Sequence, residues 1–398
     1  MLKGERIMKM SCKSCLSFVS CLALVTLLAS CASVDYAAMN GPRWKPNGRL
    51  KQRVVLWGIV HNHAKGKFDA LLKLTNDFEV VGWVDDSASK AMRMSEPKPQ
   101  NYAKWPKLTP DQVLNEVKPD LVVVEVSNSE LVEVSTRIAA AGYPMHMDKP
   151  LGTDPVGFRR MSDICKARGI PLQIGYMFRA NEAINCATKL AHDGVIGEVF
   201  AIEADLNHSY GYPKYPEYAS SYPGGTAYLL ACHAIEWAMP IFDDAMPERT
   251  YSIVKPAPGD PEDAPTHTLT IMEYPRCVAT FRVCSRGTQP CRHIRIDGTN
   301  GTIEIEPIED FRTVKHTTGL NENGLTRVDK LVVKMFLKKA KAAYHEGWNY
   351  IEFEAPDDRY AGQLHELARI LRGEIPNPPG LYEHDLKVHK VSLDACNL

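Results

Sequence analysis

The chain has 398 residues, 44% of them apolar and 24% charged, which is ordinary for a globular protein and long enough for two domains with full cores. With 47 basic and 48 acidic residues the net charge is -1, and no basic block stands out, so nothing electrostatic points to a nucleic-acid partner. Beyond residue 31 the cysteines are dispersed without a CxxC pair, and Cys277, Cys284, Cys291 and His293 sit in alternating apolar segments, where packing thiols are expected and a metal is not.

Residues 1–30 read as a leader. Lys3, Arg6, Lys9 and Lys13 precede an apolar run from Leu16 to Leu28, shorter than the ~20 residues a spanning helix needs. Leu28-Ala29-Ser30-Cys31 follows and resembles the lipobox of bacterial lipoproteins. That resemblance implies a lipid on Cys31 and an envelope location, facing the periplasm or the outside. The alternative is translation from Met39 and a cytoplasmic product. Residues 31–50 are polar and rich in Gly, Pro and Asn, which reads as a tether.

Residues 51–175 alternate strand and helix patterns. Arg53–Trp57 is an apolar run ending at Gly58, and Phe68, Leu71, Leu72 and Leu74 repeat with helical spacing. Phe78–Val84 then ends in Asp85-Asp86. This is a β-α-β unit of the size a right-handed crossover needs. A Pro-rich loop (Glu96 to Pro110) and a short helix lead to Leu121–Val124, whose unbroken apolar character suits a strand covered on both faces. Ser129–Ala141 predicts a helix stopped by Gly142. Met145–Met147, Pro155–Arg168 and Leu172–Gly175 predict strand, helix and strand. The fold class is therefore α/β, with an N-terminal doubly wound, dinucleotide-binding sheet.

Residues 176–398 change rhythm. Asn181–His192 predicts a helix and Gly197–Asp205 a strand, and Tyr210, Tyr212, Tyr215, Tyr218 and Tyr222 crowd a Pro-punctuated loop. Gly224-Gly225 opens a helix reaching Trp237. Strand-like segments at His267–Glu273, Cys277–Cys284, His293–Ile296 and Thr302–Glu306 follow without intervening helices, so a mainly antiparallel sheet is expected in a second, α+β domain. Helices over Ala361–Arg372 and after Tyr382 close the chain.

Chemistry gathers at strand ends. In an open parallel sheet ligands bind outside the carboxyl ends of the strands, and Asp148-Lys149-Pro150 stands at such an end. A desolvated lysine there can share a proton with a substrate hydroxyl. The first turn, Gly58-Ile59-Val60-His61-Asn62-His63, keeps only one glycine of the phosphate-binding fingerprint. Asp85 ends the second strand where a carboxylate accepts a ribose 2′-hydroxyl, and with Asp86 it would repel a 2′-phosphate, so NAD is expected rather than NADP.

After its tether the chain resembles the glucose–fructose oxidoreductase, inositol dehydrogenase and MocA-like family. The resemblance rests on Asp148-Lys149-Pro150, Gly175-Tyr176-Met177-Phe178-Arg179, Gly194-Val195-Ile196-Gly197-Glu198-Val199, Gly224-Gly225 with Cys232-His233-Ala234-Ile235-Glu236, and Gly298-Thr299-Asn300-Gly301-Thr302. It implies that Lys149 lies near nicotinamide and substrate, that His233 is the acid–base residue, and that Asn128 belongs to the cofactor site. An imidazole near its natural pKa suits that role. Glu236, one helical turn on, could orient His233 or bind a sugar hydroxyl, and Arg179 could grip an anion or pair with a carboxylate. Tyr176, Tyr210 and Tyr212 are candidate sugar contacts; a subunit interface is the other reading of the tyrosine loop. Leu229 stands where the family commonly carries an aspartate.

The expected activity is NAD-dependent oxidation or reduction of a sugar or sugar-derived alcohol, in a homo-oligomer built through the C-terminal sheet. The alternatives are a glycosidase that oxidises transiently and eliminates, and a carbohydrate-binding protein without activity.

Overall fold

A computed structural model describes residues 37–287, 292–309 and 330–398. The leader, Cys31 and Cys291 lie outside the described residues.

The first sheet is parallel and six-stranded: β1 (Gln52–Trp57), β2 (Phe78–Val84), β3 (Lys107–Leu108), β4 (Leu121–Val124), β5 (Met145–Met147) and β6 (Leu172–Ile174), in the order β3-β2-β1-β4-β5-β6. Its strands separate two cores because successive side chains point to opposite faces. Val54, Leu56, Leu121 and Val123 meet Phe68 and Leu71 of α1 (Ala64–Lys73) on one face. Val55, Trp57, Val122 and Val124 belong to the other core, with residues of α2 (Leu131–Ala141) and α3 (Pro155–Arg168). Continuous burial of β4 is thus the consequence of helices on both sides. Helix ends follow local chemistry. Asp154 caps α3 by accepting the Gly157 N–H at 2.9 Å, Pro155 opens it, and Gly142 and Gly169 close α2 and α3 in left-handed conformations.

The second sheet has eight strands, in the order β14-β13-β12-β11-β7-β10-β9-β8. They are β7 (Val199–Leu206), β8 (Arg249–Lys255), β9 (His267–Tyr274), β10 (Cys277–Cys284), β11 (Arg292–Gly298), β12 (Gly301–Ile305), β13 (Lys330–Leu337) and β14 (Gly347–Glu354). Only β7 and β10 pair in parallel; the other pairs are antiparallel. Alternating burial in β9 to β12 gives one packed and one open face. Helix α4 (Glu182–His192), capped by Asn181, packs against the sheet, and the short helix α5 (Tyr215–Ser220) lies within the tyrosine segment. The run from Gly224 is a wide π-type turn over Ala227–Ala231 that continues into α6 (Cys232–Ala238).

Three expectations change. Residues 41–50 are not a loose tether: the Trp44 N–H donates to the Arg168 carbonyl at 2.8 Å and the Asn47 N–H to the Leu371 carbonyl at 3.2 Å. Helix α7 (Ala361–Arg372) lies within the stretch expected to form the second domain yet packs on the nucleotide sheet, where Leu364, Leu367, Ala368 and Leu371 complete the core over Val54 and Leu56. Its apolar stripe fits the face that α1 leaves uncovered. The tyrosine segment is no open loop either, since Tyr210, Tyr215 and Tyr218 are buried. The last helix, α8 (Leu381–Asp394), packs on α3 and α6.

Candidate active site

Gly58 sits at φ +98°, and a Cβ there would meet Val126 at 2.7 Å, so the turn after β1 requires glycine at this one position. Val60, His61 and Asn62 line a narrow cleft together with Met94, Asn128, Tyr218 and Tyr222. An adjoining space is lined by His63, Lys149, Pro150, Tyr210, Tyr215 and Leu229. Both lie at the carboxyl ends of the nucleotide sheet, where ligands of open parallel sheets bind.

Beneath the turn is a fully buried ionic cluster. The Lys67 ammonium, on α1, lies 2.5 Å from Asp148 and 2.6 Å from Glu125, with all three side chains inaccessible to solvent. His61 Nδ1 lies 2.7 Å from Asp148 Oδ2 and 3.4 Å from Glu125, and His63 Nδ1 lies 3.1 Å from the same Asp148 oxygen. Burial disfavours charge on His61, but the two carboxylates outweigh it and carry its pKa to about 9. His63 goes the other way, to about 3, because burial dominates and Lys149 and His61 repel a further proton. Against burial, Lys67 and His61 hold Asp148 well below the usual carboxylate range. Two cations then balance two anions.

The ligand atoms of His61, His63 and Asp148 lie within 4.8 Å of one another, close enough to consider a metal. The Lys67 ammonium already occupies the cation's place beside Asp148, so a proton network satisfies the group without one.

Lys149 is 5% exposed and donates to the Leu229 carbonyl at 3.0 Å in the π-type turn. Burial lowers its pKa by more than neighbouring Cys232 and Asp148 raise it. His233 is buried against Phe178 and Tyr176, with ring centroids 5.4 and 6.2 Å away. Its pKa falls well below the ordinary value through burial and the charges of Lys149 and Arg292, and among the described residues its Nδ1 has no hydrogen-bond partner. It is therefore a neutral imidazole near Lys149, though it lines neither part of the cleft.

Around the nucleotide turn, Asp86 accepts the Ile59 N–H at 2.7 Å, and burial raises its pKa to about 6. Asp85 sits 2.6 Å from Lys107 and accepts the Ser87 N–H. These contacts hold it below the usual range despite burial. Among the described residues, both amide atoms of Asn128, which lines the cleft, and Asp86 Oδ2 are buried without a hydrogen-bond partner. Such unpaired buried polar atoms fit a polar dinucleotide.

Glu236 and Arg179 are placed elsewhere. The Arg179 Nε lies 2.8 Å from Glu236 and its Nη2 2.7 Å from Asp385, with His384 3.6 Å from Glu236. The paired reading of Arg179 holds, and Glu236 neither orients His233 nor faces the cleft. Tyr176 packs under the Arg179 guanidinium at 5.4 Å, away from the cleft. Tyr210 does line it, stacked on His208 at 4.3 Å, whereas Tyr212 packs behind Tyr210 at 6.1 Å. Lys67 and Glu125 are site residues that motif reasoning missed. A lysine beside Phe68 on an apolar helix face, and a glutamate between Val124 and Val126, were the signals.

Comparison with known proteins agrees with this geometry. Residues 53–176 match the model described as the oxidoreductase family with an NAD-binding Rossmann fold, and residues 184–304 match the GFO/IDH/MocA C-terminal domain. The chain belongs to the GFO/IDH/MocA family. It is an NAD(P)-dependent oxidoreductase. An uncharacterized oxidoreductase of Rhizobium meliloti is 29% identical over 268 residues, 67% of this chain and 74% of that protein. A 3-ketoreductase from Actinomadura kijaniata, solved with NADP, shares the fold with a TM-score of 0.65 at 17% identity, covering 87% of this chain and 97% of the other. A UDP-N-acetylglucosamine 3-dehydrogenase from Acidithiobacillus ferrooxidans does so with a TM-score of 0.64 at 15% identity, covering 88% and 99%.

Proposed function

We propose that this oxidoreductase uses NAD to act on a sugar or sugar-derived alcohol. The observation that carries the reading is the buried Lys149 amine, its charge disfavoured, in a cleft walled by Tyr210, Tyr215 and Tyr218. Bound cofactor supplies the hydride acceptor; Gly58, Asn128, Asp85 and Asp86 would hold it. Lys149 Nζ takes the hydroxyl proton; His233, the acid–base residue that the resemblance implies, stays outside the cleft lining. Tyrosine rings suit the C–H faces of a sugar and their hydroxyls its polar rim. One structural relative is named a UDP-N-acetylglucosamine 3-dehydrogenase and another a 3-ketoreductase, which supports a sugar-type alcohol or ketone as substrate. The carboxylate of Asp85 favours NAD, the cofactor present in a structure of GenD2 from gentamicin A biosynthesis.

A second reading has the cofactor retained through each turnover, with a glycoside cleaved and no net redox change. An envelope location through Cys31 would suit it, because soluble NAD is scarce there. Homo-oligomerisation through the open face of the second sheet is supported by exposed Phe200, Val278, Phe336, Trp348 and Tyr350.

The test begins with protein purified without added nucleotide, denatured and analysed for cofactor by mass spectrometry. It continues with titration of NAD and NADP and assays on UDP-N-acetylglucosamine, free sugars and aryl glycosides. Failure to bind either nucleotide would overturn the enzyme reading of the cleft.

A further inference from the structure

We propose that Lys107 sets the choice between NAD and NADP, placing an ammonium where a 2′-phosphate would meet the acidic end of β2. The inference rests on the dinucleotide reading of the cleft above, and it adds NADP to the NAD named there.

The acidic end differs from what two consecutive aspartates suggest. As bare charges Asp85 and Asp86 would repel a further phosphate, but Asp85 has a counter-ion and Asp86 is drawn into the nucleotide turn. Lys107 opens β3, which pairs with β2 so that Lys107 lies opposite Trp83 and Leu108 opposite Val84. That register brings the Lys107 Nζ to 5.8 Å from the Trp83 ring centroid and 2.6 Å from Asp85 Oδ2. The other Asp85 oxygen accepts the Ser87 N–H at 2.9 Å. Asp86 Oδ1 accepts the Ile59 N–H of the turn at 2.7 Å, and burial makes its charge costly, raising its pKa to about 6.

What remains to meet a phosphate is the lysine. Its side chain is 62% exposed and that of Asp85 11%, so the ammonium is the outward member of the pair. An ammonium has three N–H donors, and Asp85 Oδ2 takes one of them. Asp86 Oδ2, buried and without a hydrogen-bond partner among the described residues, is left for a ribose hydroxyl. NAD therefore binds with the Asp85–Lys107 pair intact. NADP brings a phosphate dianion to the same ribose, and the outward ammonium offers it donors and a compensating charge. A second cation, Arg93, lines the cleft, but its Nη1 and Nη2 donate to the Ser87 and Ser89 carbonyls at 3.3 and 3.1 Å, which fixes it on its own loop. Lys107, on a flexible stem, is the cation able to follow the phosphate.

Isothermal titration of NAD and NADP into the full chain, stripped of copurified nucleotide, tests this without a sugar substrate. The wild-type Kd for NADP should lie within about tenfold of that for NAD, and added salt should weaken NADP selectively. Lys107→Met should raise the NADP Kd about tenfold, the scale of one charge-assisted hydrogen bond, and leave the NAD Kd within about twofold. The selective effect of salt should vanish with the lysine, and Lys107→Arg should keep NADP binding. An exposed pair contributes little to folding, so an unchanged Tm in both variants separates a lost contact from a lost fold. A wild type that binds NAD but discriminates against NADP by more than about tenfold would overturn the proposal and leave the functional reading standing. So would a Lys107→Met protein whose NAD-to-NADP ratio stays within about threefold of wild type, or an Arg93→Met variant that moves the ratio as far as Lys107→Met does. Binding of neither nucleotide sinks the functional reading too, and is thereby distinct from these results.

Discussion

The two walls of the cleft are built on opposite principles. The nucleotide-domain wall holds Lys67, Glu125 and Asp148 at zero side-chain exposure, with His61 and His63 closing the cluster. The facing wall consists of Tyr210, Tyr215, Tyr218, Leu229 and Leu230, without a charged side chain among them. The first wall is held by charge balance, the second by ring packing at centroid separations of 4.9 to 6.3 Å. A charge network is intolerant of losing one member, because the remainder is left uncompensated in a medium that solvates it poorly. A packed ring wall tolerates polar loss and resents lost volume. Chemistry that moves charge is thereby confined to one side, and the other shapes the substrate.

Deleting the functional amine should have the largest effect. Lys149→Ala should reduce turnover by at least ~10²–10⁴-fold, the range for a lost acid–base group, while the Tm stays close to wild type. Steady-state kinetics beside differential scanning fluorimetry would check both halves; full activity in this variant would displace the site. Lys67→Met should show the reverse pattern. It leaves Asp148 and Glu125 facing one another, and loss of one partner of a buried pair costs about 3–5 kcal/mol. Chemical denaturation should record that loss, and adding Glu125→Gln should recover much of it. If Lys67→Met is as stable as wild type, the charged wall is not held by balance.

How much of this was legible in the sequence depends on whether the signal was local. All the parallel strands but β3 were, because burial on both faces writes an unbroken run such as Leu121–Val124, and Pro155–Arg168 carried its own cap, proline and terminal glycine; the two-residue β3 lay inside the Pro-rich loop. Strands β8, β13 and β14 were not. Their outward residues mix Ile253, Phe336, Trp348 and Tyr350 with charges, which blurs the alternation. The lysine and its strand end were also readable. The ionic cluster was not, since Lys67, Glu125 and Asp148 are far apart in sequence and only the β1–β4–β5 order brings them together. The pairing of Arg179 with Asp385 depends likewise on α8 returning to the site, which no local pattern announces.

Protonation offers a gentler way to break the charged wall. His61 and His384 both have folded pKa values near 9, above the ordinary 6.5, because carboxylates outweigh their burial. A raised folded pKa contributes stability that is fully present below pH 6.5 and is lost as pH rises through about 9. Unfolding free energy should therefore fall between pH 7 and 9.5, by an amount on the order of 2–3 kcal/mol per histidine. Urea titrations across that window would measure it. His61→Gln should flatten part of the slope, and a stability that is level to pH 9.5 would refute the imidazolium in the cluster.

The smallest effect belongs to one hydroxyl of the aromatic wall. Tyr210 is 7% exposed, stacks on His208 with an interplanar angle of 12°, and faces the cleft. Tyr210→Phe keeps the ring, the stack and the volume, so its stability should lie within about 0.5 kcal/mol of wild type. If the hydroxyl meets the substrate, KM should rise several-fold, up to about tenfold for one hydrogen bond, with kcat little changed, because such a contact is made equally in the ground and transition states. Tyr210→Ala separates the two roles: it removes the ring as well, and should cost about 3 kcal/mol in folding through the cavity left against His208 and Tyr215. Equal stability losses in the two variants would mean that the hydroxyl, and not the ring, holds this wall, and the contrast with the charged side would fail.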